Sequence, residues 1–237
     1  MKKRWIVMSV LVAGIVFSIV FRGGVILQTL GITWENPFAP TVEVEDRTVW
    51  SDRNGNGIAD QLDIVAAARV EVENRTTYKS AYYGGGYPPE DEGVCTDVIW
   101  RGLLGADISL KDEMDTDIAA NVEAYPRTEG KPDPNIDFRR VPNQYAFLER
   151  HAESLTTELI PGDLDNLAEW QPGDIVIFLD GTDHAGIISD RRAKDGTPYM
   201  IHNTPPFAAE IKLSSYKQPI AGHYRWKFTE EGTATPE

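Results

Sequence analysis

The order of hydrophobic periods along the chain limits its fold more than any other feature. Between residues 60 and 155 the apolar side chains come in helix-length segments, at 60–74, 95–104, 111–124 and 143–155. The last has Pro142 just ahead of it, where a missing N–H costs a helix nothing. From residue 174 the segments shorten to strand length, at 174–179 after a Gln-Pro-Gly turn, then 184–189, 199–202 and 223–228, each bounded by turn residues. Helices followed by a run of short strands predict an α+β domain with an antiparallel sheet. A single cysteine in 237 residues excludes an intrachain disulfide and a zinc site built on several thiolates. A hydrophobic core must therefore hold the fold, and a 41% hydrophobic composition is ordinary for one.

The N-terminus implies a compartment. Lys2, Lys3 and Arg4 precede an uncharged run over residues 5–21 that ends at Arg22. Seventeen residues of helix span about 26 Å, just short of a hydrocarbon core of about 30 Å. Ser18-Ile19-Val20 is a poor match to the small residues that signal-peptide cleavage needs, and Arg22 can snorkel to a membrane surface. The expectation is an N-terminal transmembrane helix acting as a signal anchor over residues 1–32, with the basic tip cytoplasmic and the rest of the chain exported. Cleavage, which would leave a secreted protein, is the alternative. Residues 33–46, with two prolines and little periodicity, read as a linker. Residues 47–228 read as the folded domain and 229–237 as a disordered tail.

Charge excludes one class of partner. Net charge is −14 overall, and outside the first 36 residues nineteen basic and thirty-six acidic residues leave −17. A nucleic-acid binder needs a basic face to displace counterions, so none is expected. The protein is expected to act as a monomer. Divalent cations suit the acidic balance better. Asp52, Asn54, Asn56, Asp60 and Asp63 supply oxygen side chains at positions 1, 3, 5, 9 and 12 of a loop, with Gly57 at position 6 and the Ile58 carbonyl at position 7. That spacing wraps hard oxygens around one point, as calcium requires. With Asp at position 12, the pattern resembles the calcium loops of thrombospondin type 3 repeats more than an EF-hand. The expectation is one structural Ca²⁺; an Asn-Gly turn with Asp60 capping a helix is the alternative.

The chemistry-bearing residues lie later. A Gly- and Pro-rich loop, Tyr83 to Pro89, leads to Cys95 at the start of an apolar helix, where the helix dipole lowers a thiol's pKa. His184 opens one strand, and His202, followed by Asn203, closes the next. If these strands are neighbours, nucleophile, base and orienting group can meet. Buried structural roles for all three remain open at this point. Tyr82, Tyr83 and Tyr87 are suited to walling a cleft. Arg139 and Arg140 suit either a substrate carboxylate or structural ion pairs.

Taken in order, Gly85-Gly86, Val94-Cys95-Thr96, Pro172-Gly173-Asp174-Ile175-Val176, His184-Ala185-Gly186-Ile187 and Ile201-His202 resemble the NlpC/P60 branch of the papain-like superfamily. Gly93-Val94-Cys95-Thr96-Asp97, the stretch from Asn135 to Pro142, and Gly222-His223-Tyr224-Arg225 resemble, more closely, a bacterial exported family known as domain of unknown function 1287. The resemblance implies a papain-like fold with the nucleophile helix packed on an antiparallel sheet. It implies a thiol amidase in which Cys95 attacks an amide, His184 carries the proton, and His202 or Asn203 orients the base. Tyr83, Tyr87, Arg139 and Arg140 would meet the substrate. The implied substrate is bacterial cell-wall peptide, cut by an exported, membrane-tethered enzyme. Val94 stands where that branch has Asp, and residues 104–171 form an insertion. Two other functions compete: a thiol acyltransferase or protease on the same scaffold, and a non-catalytic, calcium-stabilised envelope domain.

Overall fold

The computed structural model describes all residues except 1, 23, 34, 36, 37, 39 and 229–237. The chain begins with α1 (Lys2–Arg22) and the short α2 (Val25–Thr29). Among the described residues no helix is long and apolar enough to cross a membrane. This overturns the expected N-terminal transmembrane helix. Length is the physical reason: charged residues occupy both ends of α1 and leave seventeen uncharged positions between them, about 26 Å of helix against about 30 Å of hydrocarbon. Within the residues assigned to the anchor, α2 packs on the domain instead. Gln28 Oε1 accepts the Lys212 backbone N–H at 2.8 Å, and Gln28 Nε2 donates to Ser215 at 2.6 Å.

Part of the expected linker, at 34, 36, 37 and 39, and the whole of the expected tail lie outside the described residues. The described remainder of that segment is tied to the domain. Val42 N–H donates to the Lys194 carbonyl at 2.8 Å, and Gln171 brackets the strap by accepting from Arg47 N–H and donating to the Glu45 carbonyl.

The domain is α+β. Its helices are α3 (Asp60–Glu73), α4 (Cys95–Gly105), α5 (Leu110–Ala120), α6 (Val141–His151) and α7 (Leu164–Ala168). Eight strands form one curled sheet: β1 (Thr77–Tyr78), β2 (Glu92–Gly93), β3 (Glu153–Ser154), β4 (Ile175–Phe178), β5 (His184–Arg192), β6 (Pro198–Thr204), β7 (Phe207–Lys212) and β8 (Gly222–Arg225). Their order is β2-β1-β7-β6-β5-β4-β8-β3. The central pairs are antiparallel, and only β1 with β2 is parallel. The two-residue strands and β7 carry too little periodicity to be read from sequence.

Strand alternation builds two cores. Ile175, Ile177, Ala185, Ile187 and Ile201 share one core with Ile64 of α3 and Val98, Ile99 and Leu103 of α4. Val176, Phe178, Ile188 and Met200, of opposite parity, share the other with Trp170, Ile211 and Leu213. Helix α4 lies close to α3 because it presents glycines there. A Cβ on Gly105 would come within 2.6 Å of the Asp63 carbonyl oxygen and of Ala67 Cβ. That contact binds the start of α3, and with it the 52–63 loop, to the far end of the helix that begins at Cys95.

Candidate active site

Helix α4 begins without a side-chain acceptor at its N-cap, since Val94 has none. Asp97, three residues on, supplies it: Oδ2 accepts the Val94 N–H at 2.8 Å. Asp97 is fully buried, and its remaining capacity is also used. Arg139 grips it with two bonds, Nε to Oδ1 at 2.7 Å and Nη2 to Oδ2 at 2.8 Å, while Trp100 Nε1 donates to Oδ1 at 2.8 Å. Arg139 Nη1 donates to the Ala81 carbonyl at 3.0 Å, which ties the Tyr82–Gly86 loop to the same centre. Three of the five Arg139 guanidinium N–H donors are thus used below the surface, at 1% side-chain exposure. Arg140 is half-exposed and pairs with Asp137 at 2.9 Å. Tyr83 donates to Glu92 Oε2 at 2.8 Å, and Tyr87 packs its ring on Trp100 and Phe138.

Cys95 is the first residue of α4 and is buried. Burial pushes its thiol up to about 12, against the lowering effect of the backbone N–H groups of Ala185, Thr96 and Cys95 itself. Desolvation therefore outweighs the helix dipole here, the reverse of what the helix-start position implied. The Ala185 N–H marks where the sulfur meets the sheet, one residue from His184.

His184 and His202 do meet. His184 Nε2 lies 2.7 Å from His202 Nδ1, with the rings at 87° to each other. Tyr216 stacks on His184 at 4.8 Å between centroids. Both imidazoles are buried, which lowers His184 to about 4 and holds His202 well below its ordinary value. Both rings are therefore neutral, so one nitrogen of the close pair donates and the other accepts. If His184 Nε2 carries the shared proton, its Nδ1 lone pair is left free to act as a base. In that tautomer His202 carries its proton on Nε2, a buried atom with no hydrogen-bond partner among the described residues. Asn203 does not orient His184; its amide donates to the Thr76 carbonyl at 3.1 Å.

The structure does not join the thiol to the pair. Among the described residues no hydrogen bond links Cys95 to His184 or His202. Parity explains this. His184 alternates with Gly186 and Ile188 on the face of the second core, beside Phe178 and Tyr216, whereas Cys95 packs with Ala185 and Ile187 on the other. The sulfur's contact with β5 is the Ala185 N–H, one residue after His184.

A neutral buried pair makes stability depend on pH. The unfolded chain binds protons at histidine near pH 6.5, whereas folded His184 does so only near 4. Stability is then complete above about 6.5 and falls as pH drops toward 4, by roughly 3 kcal/mol from His184 alone. Urea midpoints measured from pH 7.5 down to 4.5 should fall through this window, and less steeply in His184→Gln. A flat profile in the parent would refute the neutral pair.

In the 52–63 loop, Asp52 accepts the backbone N–H groups of Asn56 and Gly57 at 3.0 and 2.9 Å. The amides of Asn54 and Asn56 converge on the Asp63 carboxylate at 2.9–3.0 Å. Asp60 Oδ1 accepts from Arg53 N–H at 2.9 Å, and its buried Oδ2 has no partner. The Ile58 side chain is exposed. No cluster of three or more His, Cys, Asp or Glu side chains suited to a metal is found among the described residues.

Three contributors to the site were not foreseen: Asp97 as the hub beneath the helix start, Tyr216 against His184, and Asp183 ahead of it. The Asp at N3 of a helix was the one available signal; nothing local marked Tyr216. Comparison with known proteins adds kinship without a chemistry. Residues 65–226 match the family model described as Domain of unknown function (DUF1287). The chain is also 38% identical over 173 residues to the "Uncharacterized protein YijF" of Escherichia coli (strain K12), covering 70% of this chain and 81% of that one.

Proposed function

Since the chain belongs to the family Domain of unknown function (DUF1287), we propose a chemistry for it from the site itself: thiol-dependent hydrolysis of an amide, on a papain-like scaffold of the NlpC/P60 kind. The observation that carries this reading is the single thiol at the first turn of α4, against the backbone N–H next to His184, whose ring is bonded to His202. Cys95 Sγ attacks the amide carbonyl carbon as its proton passes to His184 Nδ1. This step requires the thiol and the ring, which lie on opposite faces of the sheet, to approach each other around the start of β5. The N–H groups of Cys95 and Ala185 are donors for the oxyanion. Collapse breaks the C–N bond, and His184 returns the proton to the leaving amine. Water then hydrolyses the thioester, again with His184 moving the proton, and the thiol is regenerated. His202 positions the base.

The substrate we propose is bacterial cell-wall peptide. The test is digestion of purified wall by the full chain, with soluble fragments read by mass spectrometry. New amine- and acid-terminated fragments that disappear in Cys95→Ala support the proposal; fragments that persist in that variant, or none at all, refute it. A second reading, a non-catalytic envelope domain, is favoured by the protonated thiol and its missing bond to histidine. It predicts no fragments and no thioester in acid-quenched mixtures.

We also propose that the 52–63 loop takes one Ca²⁺ in a structural role. Asp52, Asn54, Asn56, Asp63 and the Ile58 carbonyl supply the oxygen donor types the ion takes, the two amides turning their oxygens inward on binding, and the buried Asp60 Oδ2, unpartnered among the described residues, is the atom of the loop most in need of a cation. A ligand bound only to the folded state stabilises by about 2.7 kcal/mol at a hundredfold excess over Kd. Calcium should therefore raise the melting temperature by several degrees over chelator, and Asp63→Ala should lose that response. Superimposable melting curves with calcium and with chelator would dispose of the site.

A further inference from the structure

A groove of about 880 Å³ opens beside the strand end that carries His184. Its walls are the loop at Tyr82, the segment 127–135, the start of α6 and Asp183. It adjoins both parts of the candidate site. Asp183 leads directly into β5, and Arg139, next to Arg140 of the groove wall, accepts the Thr96 hydroxyl on its carbonyl at 2.9 Å, one residue past Cys95.

Three cations and three anions line the groove, but their hydrogen-bonding capacity is unequal. Asp133 receives the Asn135 backbone N–H and side-chain amide and the Tyr82 hydroxyl, and these bonds hold its carboxyl below the usual range. Asp183 faces Arg127 at 3.4 Å, and the exposed Glu129 side chain has no ion pair or hydrogen bond among the described residues. The cations are less committed. Lys131 Nζ makes no ion pair or hydrogen bond among the described residues. Among the described residues the Arg127 side chain has only the long contact with Asp183, and it is 58% exposed. Arg140 spends Nη1 on Asp137 and the Arg127 carbonyl, which leaves Nε and Nη2 unused among the described residues. Asp133 and Asp137 are already bonded, and the unused N–H groups of Lys131, Arg127 and Arg140 can take an anion, with Asp183 and Glu129 the carboxylates that oppose it.

The groove is also built to hold a shape. Asn143 Oδ1 accepts the Arg127 N–H at 3.0 Å, Asn135 accepts Gly85 N–H at 2.8 Å, and Pro132, Pro134 and Pro142 stiffen the wall. Its volume lies in the range of small-molecule sites, about 300–1,000 Å³, and exceeds what a lone inorganic anion fills.

We propose that this groove binds the free carboxylate of a short peptide, with Arg127 and Arg140 donating to the carboxylate and Lys131 adding a point charge. The grip sets an amide of the same peptide toward the end of β5. That the anion belongs to a peptide rests on the amidase reading; that the groove takes an organic carboxylate rests on its own residues.

The test uses full-length Cys95→Ala, so that binding is read without turnover, titrated with trialanine as the free acid and as its C-terminal amide. The free acid should bind at least about tenfold more tightly, and added salt should narrow the difference. Lys131→Met and Arg127→Met should each weaken the acid several-fold, leave the amide unchanged and keep the melting temperature. Equal affinities, no binding of either peptide at millimolar concentration, or an unchanged acid affinity in both variants overturns the proposal. The two readings fail separately. Carboxylate-selective binding with no wall digestion by the parent removes the amidase alone. Wall digestion without carboxylate selectivity removes the groove alone.

Discussion

Cys95→Ala is expected to lower amide hydrolysis by at least about a thousandfold, with a melting temperature within a few degrees of the parent. The rate effect follows from losing the covalent step: groups that act as one unit leave only binding and oxyanion stabilisation when one is removed. The small stability effect follows from size, since a thiol exchanged for a hydrogen in a buried site costs about 1 kcal/mol. His184→Gln should fall nearly as far, because without the ring no group takes the thiol proton. His202→Gln should fall less and shift the pH–rate profile, the signature of a positioning residue. The resting thiol, held up at about 12 by burial, should react with iodoacetamide more slowly at neutral pH than free cysteine does. Parent-like turnover by Cys95→Ala would end the nucleophile assignment, and fast alkylation would contradict the buried, protonated thiol.

Arg139→Met should destabilise the fold by about 3–5 kcal/mol. It strands the fully buried Asp97 carboxylate, which loses two bonds at 2.7 and 2.8 Å, and breaking a buried pair from one side leaves an uncompensated charge. At about 2–4 °C per kcal/mol for a domain of this size, the melting temperature should drop by roughly 10 °C. Asp97→Asn added to Arg139→Met should recover part of the loss, because no charge then remains to be solvated. Thermal and urea unfolding of the two variants decide the matter. A melting temperature unchanged in Arg139→Met would mean that the pair carries no structural energy, and would return Arg139 to the substrate-contact role its position in the sequence allowed. Arg140, half-exposed on the groove, is the member of the pair that a ligand can reach.

The longer elements were legible because each has a local cause. The segments at 60–74, 95–104 and 143–155 appear as α3, α4 and α6 within a few residues, since amphipathic spacing and Pro142 act over one or two turns. The segment at 111–124 is helical only to Ala120 and finishes in a separate 3-10 turn. Strands β1, β2 and β3 are two residues long and exist only through their partners, so no pattern announces them. The N-terminal expectation rested on an uncharged run already a few ångströms short, and no helix among the described residues is long and apolar enough to cross a membrane. For the candidate site, the adjacency of His184 and His202 followed from consecutive antiparallel strands. The side of the sheet on which each group lies did not, because a shift of one residue reverses it.

From the sequence alone come the helical half, the strand half, the single thiol at a helix start, and two histidines on successive strands, all consequences of short-range periodicity and spacing. The tertiary structure decided what surrounds them. Burial raised the thiol instead of lowering it, Arg139 was spent on Asp97, and the histidine pair was joined to itself on the face away from Cys95. A groove formed from segments that lie about a hundred residues apart in the chain, at Tyr82 and Asp183. The physical reason is common to all four. Desolvation, ion pairing and cavity shape depend on which atoms exclude water from which others, and that is settled by contacts between distant segments.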